Sequence, residues 1–207
     1  MARPIVVFVL GGPGAGKGTQ CTKIEETYGF CHVSAGDCLR EERKTPGSEF
    51  GELIETYIKE GKIVPVEITV KLLEKKMRSH GWEGGKFLID GFPRNLNNFE
   101  GWYAHLKDAV DDRYCLFFDC PEDVMEQRLV ERGKDSGRVD DNLDSIRKRF
   151  KTYVDETMPI IQCFNDAGKL KKVDANQDIC KVWEEVRCIF DDICQPKLLN
   201  GCCARSN

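Results

Sequence analysis

Eleven cysteines occur in the 207 residues, yet no two are spaced as Cys-x-x-Cys. Without that spacing neither a zinc site nor a dithiol redox pair is indicated, and the odd count argues against a closed disulfide framework. Several cysteines lie within apolar runs and read as small buried hydrophobes. Free thiols in this number suit a reducing compartment, so the cytoplasm is expected, with the nucleus left open. No apolar run is long enough to span a bilayer. The run at Ile5–Leu10 is also too short for a signal peptide, lacks a cleavage site and leads straight into a glycine loop. A prenylation box is excluded because Ala204, not cysteine, stands fourth from the end. There is no excess of basic charge: the formal net charge is −4, which offers no diffuse attraction for nucleic acid or anionic lipid. No internal repeat and no low-complexity run occurs.

What is present describes a globular chain. Hydrophobic residues make up 41% and charged residues 32%. The length fits one domain carrying insertions. Folding at this size buries roughly 70% of the unfolded surface, enough for a substantial core.

The most informative stretch is Gly11-Gly12-Pro13-Gly14-Ala15-Gly16-Lys17-Gly18-Thr19. It follows an apolar strand-like run and precedes a helical pattern, the order a phosphate cradle requires. Glycines let the backbone curl so that successive N–H groups point at one centre, and the helix adds its unpaired N–H groups and the positive end of its dipole. Lys17 supplies a full charge. The residue after this lysine is commonly Ser or Thr, placed to touch magnesium; here it is Gly18, with Thr19 one position later.

Five strands are predicted, the continuously apolar Ile5–Leu10 followed by Phe30–Ser34, Phe87–Asp90, Tyr114–Cys120 and Leu170–Ala175. Helical periodicity fills the intervals. Asp37 is positioned to cap a helix to about Lys44, and Ser48 to cap another through Glu60. A long helix over Asp144–Phe164 should be interrupted or kinked at Pro159. Alternating strands and helices predict an α/β fold with a five-stranded parallel sheet and helices on both faces. Ligands in such sheets bind beyond the carboxyl ends of the strands. The ends of the first three strands carry Gly11–Thr19, Ser34–Asp37 and Asp90–Arg94.

Arginines at Arg40, Arg94, Arg132, Arg138 and Arg149 fall at strand ends, loops or helix starts, where a planar fork can grip phosphate oxygens twice. Together with Ser34-Ala35-Gly36-Asp37, Asp90-Gly91-Phe92-Pro93-Arg94 and Arg132 through Gly137-Arg138-Val139-Asp140-Asp141-Asn142, the glycine loop resembles the nucleoside monophosphate kinase family that includes adenylate kinase. The resemblance runs from about Pro4 to Asp191. It implies a single kinase domain over 1–194, with a core (1–33, 66–132 and 143–194), a monophosphate-binding insertion at 34–65 and a short lid at 133–142. Residues 195–207 are left as a C-terminal tail.

The resemblance also implies roles. Gly14, Ala15, Gly16, Lys17, Gly18 and Thr19 would hold the ATP phosphates, with Arg132 and Gln177 also on the ATP side. Arg40 and Arg94 would grip the acceptor monophosphate, and Arg138 and Arg149 would bridge the transferring group. Lys17, Arg94, Arg138 and Arg149 are thus the expected catalytic set. Gly91, Phe92, Lys62, Ile63 and Val64 would border the acceptor nucleotide. Magnesium is the expected cofactor, bound through phosphates and water with Asp90 in its outer shell and no direct protein ligand. Gly133 and Gly137 would absorb lid motion. Ala35 with Asn95-Leu96-Asn97-Asn98 resembles the pyrimidine-accepting branch, so ATP, CMP and UMP are the expected nucleotides, with dCMP open. An asparagine amide offers both a donor and an acceptor to a pyrimidine edge, which assigns base contact to Asn98 and leaves Asn95 and Asn97 as competitors. Two alternatives stand: a short-lid adenylate kinase acting on AMP, and a nucleotide-binding switch without turnover. The second lacks the Asn-Lys-x-Asp guanine reader of a GTPase. Neither nucleic acid nor membrane is expected as a partner, and a monomer suffices.

Overall fold

The computed structural model describes residues 2–138 and 140–194. The most apolar strand, β1 (Ile5–Gly11), lies at the centre of a five-stranded sheet. With β2 (Cys31–Ser34), β3 (Lys86–Asp90), β4 (Asp111–Asp119) and β5 (Leu170–Asp174), the order is β2-β3-β1-β4-β5. Every neighbouring pair is parallel. Side chains of β1 alternate between the two faces. Val6, Phe8 and Leu10 join one core cluster, and Val7 and Val9 the other. Both faces are covered, which is why this strand reads as continuously apolar rather than alternating.

Helices α1 (Lys17–Tyr28) and α9 (Ile179–Cys194) cover the Val7 face. On the Phe8 face lie α4 (Val66–Ser79), α5 (Leu96–Leu106) and α8 (Met158–Asp166), where Trp102 and Phe164 pack on the Phe8 ring at 5.3 and 5.5 Å between centroids. The segment between β2 and α4 folds into α2 (Ala35–Lys44) and α3 (Gly51–Glu60). These build a small core of their own, Ile54, Val64 and Ile68 packed against Leu39, Phe50 and Tyr57. The remaining helices are α6 (Glu122–Gly133) and α7 (Leu143–Thr152).

Several boundaries differ from the sequence expectation. Ser34, not Asp37, caps α2: its hydroxyl accepts the Asp37 N–H at 3.2 Å, which puts Asp37 in the first turn. Ser48 does not start α3; its hydroxyl accepts the Phe50 N–H at 3.2 Å, and the helix begins at Gly51. β4 begins three residues before Tyr114, because pairing with β1 starts at Ile5 and Asp111. The long helix changes over 153–157 to a π-helical turn, and Pro159 then sits in the first turn of α8. No helix among the described residues is long and apolar enough to cross a membrane. The tail expected at 195–207 lies outside the described residues.

Sheet register sets the site. Val9 and Ser34 both pair with Asp90, and Gly11 pairs with Phe118. The glycine loop, Ser34 and Asp90 therefore leave the same edge, where the chain first winds to one side of β1 and then crosses to the other.

Candidate active site

The loop after β1 turns on glycines at positive φ. Gly14 sits at φ +87°, and a Cβ there would lie 2.5 Å from the Met125 carbonyl oxygen. Gly16, at φ +84°, faces open space instead, with nothing within 4 Å of its would-be Cβ. One glycine thus seats the loop on α6, and the other keeps the cradle clear. Lys17 reaches back over the loop and donates to the carbonyls of Gly11 and Gly12, 2.9 Å each. Burial pulls the Lys17 pKa down to about 8; Asp90 opposes the shift, while Arg94 and Arg149 reinforce it.

An open cleft of about 600 Å³ extends from this loop. Every residue expected on the ATP side lines it: Gly14 through Thr19, Arg132 and Gln177, together with Asp90 and Arg138. A second chamber of about 70 Å³ lies beside it, lined by Ala35, Lys62, Ile63, Val64, Phe92 and Asn98. Arg40, Gly91, Arg94 and Arg149 line both spaces, so the wall between them is largely guanidinium. The Lys62 ammonium does not turn inward: it pairs with Glu60 at 2.7 Å on the surface, leaving backbone and stem to the chamber.

Most of these arginines are held by carboxylates. Arg40 grips Asp37 at 2.6 and 3.1 Å, and Arg138 stands 3.7 Å from the same oxygen. Arg132 forks onto Asp141 at 2.9 and 2.6 Å. Arg149 pairs with Asp140 at 2.9 Å and Asp141 at 3.4 Å. Arg94 differs. Its Nε donates to the Gly91 carbonyl at 2.6 Å, and among the described residues no carboxylate lies within ion-pair distance. Burial pushes the Arg94 pKa down, with Asp90 opposing. Arg149 is pulled by burial to about 10, against the pull of Asp140. The Arg94 guanidinium, desolvated and lacking an acid, gains most from a phosphate.

The three asparagines of the 95–98 segment separate cleanly. Asn95 caps α5, accepting the Asn98 N–H at 2.9 Å, and its amide donates to Glu156 at 3.0 Å. Asn97 is exposed. Asn98 is 2% exposed; its Oδ1 accepts the Arg94 N–H at 3.3 Å, and its buried Nδ2 has no partner. A buried amide donor left unpaired at the wall of a cavity is poised for a ligand acceptor.

A family model described as adenylate kinase matches residues 9–169. The chain belongs to the adenylate kinase family. Among curated members, human UMP-CMP kinase is 54% identical over 192 residues, covering 91% of this chain and 98% of that protein. The chicken UMP-CMP kinase matches equally, and that of Xenopus laevis is 53% identical over all of its own length.

Some site residues escaped the sequence reading. Asp140 and Asp141 stood inside quoted motifs with no assigned role, and Asp37 was read only as a helix cap; all three are the arginines' counter-charges. Leu39, Ile58 and Thr69 line the small chamber with no sequence signal beyond helical position. After α6, Gly137 has φ +61° and open space, but Gly133 ends α6 with a would-be Cβ 2.8 Å from the Asp141 carbonyl. Gly133 is therefore a close-packing position.

Proposed function

We propose that this protein is an ATP-dependent kinase that moves the γ-phosphoryl of ATP to CMP or UMP, giving the diphosphate and ADP. The observation that carries the pyrimidine assignment is the unpaired Asn98 Nδ2 at the wall of the chamber beside Arg40 and Arg94. That donor can meet an acceptor on a pyrimidine edge, and the UMP-CMP kinases at 54% identity support the same reading over an AMP acceptor. The unused alternative, a switch without turnover, would not need five arginines around one cleft.

In this reading ATP occupies the larger cleft. Loop amides and Lys17 hold its β- and γ-phosphates, and Arg132 and Gln177 flank the nucleotide. Arg40 and Arg94 grip the acceptor phosphate from the small chamber. That phosphate is an anionic nucleophile at neutral pH, so no general base is required. The work of the site is to hold two polyanions in line and offset charge on the group in transit, which Arg138 and Arg149 do from the wall between them. Asp37, Asp140 and Asp141 keep the arginines oriented until phosphates displace them. Magnesium fits as a partner of the phosphates: Asp90 projects into the cleft beside Lys17, while Gly18 withholds a direct hydroxyl ligand. When bound it neutralises phosphate charge. The lid over 133–142 closes on both nucleotides and excludes water. The domain division into core, 34–65 insertion and short lid belongs to the same reading, as do a monomeric state and a cytoplasmic or nuclear location.

Initial rates with CMP, UMP, dCMP and AMP at fixed magnesium and ATP test this proposal. CMP and UMP should dominate; dominant AMP turnover would overturn it. ATP hydrolysis without an acceptor should be slow, and a high rate would reject closure as the barrier to water.

A further inference from the structure

Beneath the cleft lies a cluster that phosphoryl transfer leaves mostly unused. Cys21 sits on α1, one turn beyond Lys17; His32 is on β2; Asp90 ends β3. They are far apart in sequence, and neither separation resembles a metal motif. The fold brings the Cys21 sulfur, a His32 ring nitrogen and an Asp90 carboxylate oxygen within 4.8 Å of one another. His32 Nε2 lies 3.2 Å from Asp90 Oδ2. Cys21 is fully buried, whereas His32 and Asp90 line the cleft, so the three donors form a pocket whose remaining side opens toward the nucleotide.

One sulfur, one nitrogen and one oxygen match the donor set of a tetrahedral zinc site with three protein ligands and one open position. Bond lengths of about 2.0–2.3 Å place such donors about 3.5 Å apart, so the His32–Asp90 spacing needs almost no change and the thiol a modest shift. Magnesium, which takes six oxygens, is a poor match. We propose that Cys21, His32 and Asp90 form a Zn²⁺ site with its fourth position facing the cleft, and that Zn²⁺ bound there inhibits phosphoryl transfer by engaging Asp90. Binding releases the Cys21 thiol proton to buffer and replaces the His32–Asp90 hydrogen bond with two coordination bonds. The inhibitory half rests on the role given to Asp90 above; binding does not.

The probe is Co²⁺, displaced by Zn²⁺, added to the reduced, metal-stripped full-length protein. One Co²⁺ per chain should bind with a thiolate-to-cobalt charge-transfer band, a readout independent of activity. Cys21→Ser should abolish the band, leave the basal transfer rate unchanged and raise the Zn²⁺ concentration for half-inhibition at least tenfold. Should Cys21→Ser fail to fold by circular dichroism, His32→Gln, at a partly exposed position, should weaken cobalt binding in its place. Serine at Cys163, Cys180, Cys188, Cys194, Cys202 and Cys203 together should leave the band intact. A band that survives both Cys21→Ser and His32→Gln, or that disappears from the six-serine protein, overturns the site. Stoichiometric binding without inhibition overturns the role of Asp90 and leaves the site standing.

Discussion

The two spaces that meet at Arg40, Arg94 and Arg149 have walls of different material. The larger cleft starts from backbone, a loop that turns on glycines at positive φ and a lysine tied to two of the loop's own carbonyls, and its remaining walls carry charged side chains such as Arg132, Arg138 and Asp90. The smaller chamber is lined by side chains from different parts of the chain: Arg40 from α2, Val64 from the linker before α4, and Asn98 from α5. A backbone cradle binds any polyphosphate and is damaged mainly by changes in chain geometry. A side-chain wall discriminates among acceptors and can be edited one group at a time. In the proposed function, affinity for phosphate and choice of acceptor are thereby built on separable parts.

The largest expected break is at the shared wall. Arg94→Ala should lower kcat about a thousandfold, as loss of a group aimed at transition-state charge does, while ATP affinity by calorimetry stays near wild type. If ATP affinity collapses instead, Arg94 belongs to the donor side. Next comes the backbone cradle. Gly14→Val must accept φ +87° and a Cβ 2.5 Å from the Met125 oxygen, a strain of about 1–3 kcal/mol. Displacement of the loop should weaken ATP binding about a hundredfold with a lower Tm. An unchanged ATP Kd would show that the loop is not held by this contact.

A smaller effect sharpens the acceptor side. Asn98→Ala removes one base-facing donor and the acceptor of the Arg94 N–H, and should raise KM for CMP and UMP about tenfold with KM for ATP unchanged. An equal rise in KM for ATP and for the acceptor would make Asn98 a structural residue only. The smallest concerns pH. Free Lys17 holds its proton below about 8 and loses it above, so it attracts phosphate less as pH rises through that value. The Kd for ATP should weaken severalfold between pH 7.5 and 9, by at most about tenfold per pH unit. Lys17→Arg, charged throughout, should flatten the profile, and a profile identical to wild type would assign the dependence elsewhere.

Much of this was legible in the chain. Apolar runs marked the inner strands β1, β3 and β4, because strands covered on both faces need little polar alternation; the edge strands β2 and β5 carry polar residues. The four motifs could be read in order because loops that bind phosphate need particular residues at fixed offsets. Boundaries were less legible. Ser34 and Asp37 are both good helix caps, and only the position where β2 stops pairing with β3 decided between them. The interruption near Pro159 was visible, but its form was not, since a π-turn depends on how α7 and α8 each seat on the sheet.

By itself the sequence determined that a phosphate cradle follows a buried strand, that arginines gather around strand ends, and that the layers alternate as a parallel α/β sheet. These depend on local propensity and spacing. Tertiary structure alone decided which asparagine faces a cavity, which carboxylates hold which arginines, and that Cys21, His32 and Asp90 meet beneath the cleft. Those depend on strand order and register, which juxtapose residues with no relation along the chain. The glycine loop names a ligand class because its own backbone makes the site. The acceptor chamber takes its meaning from three elements arriving at one place.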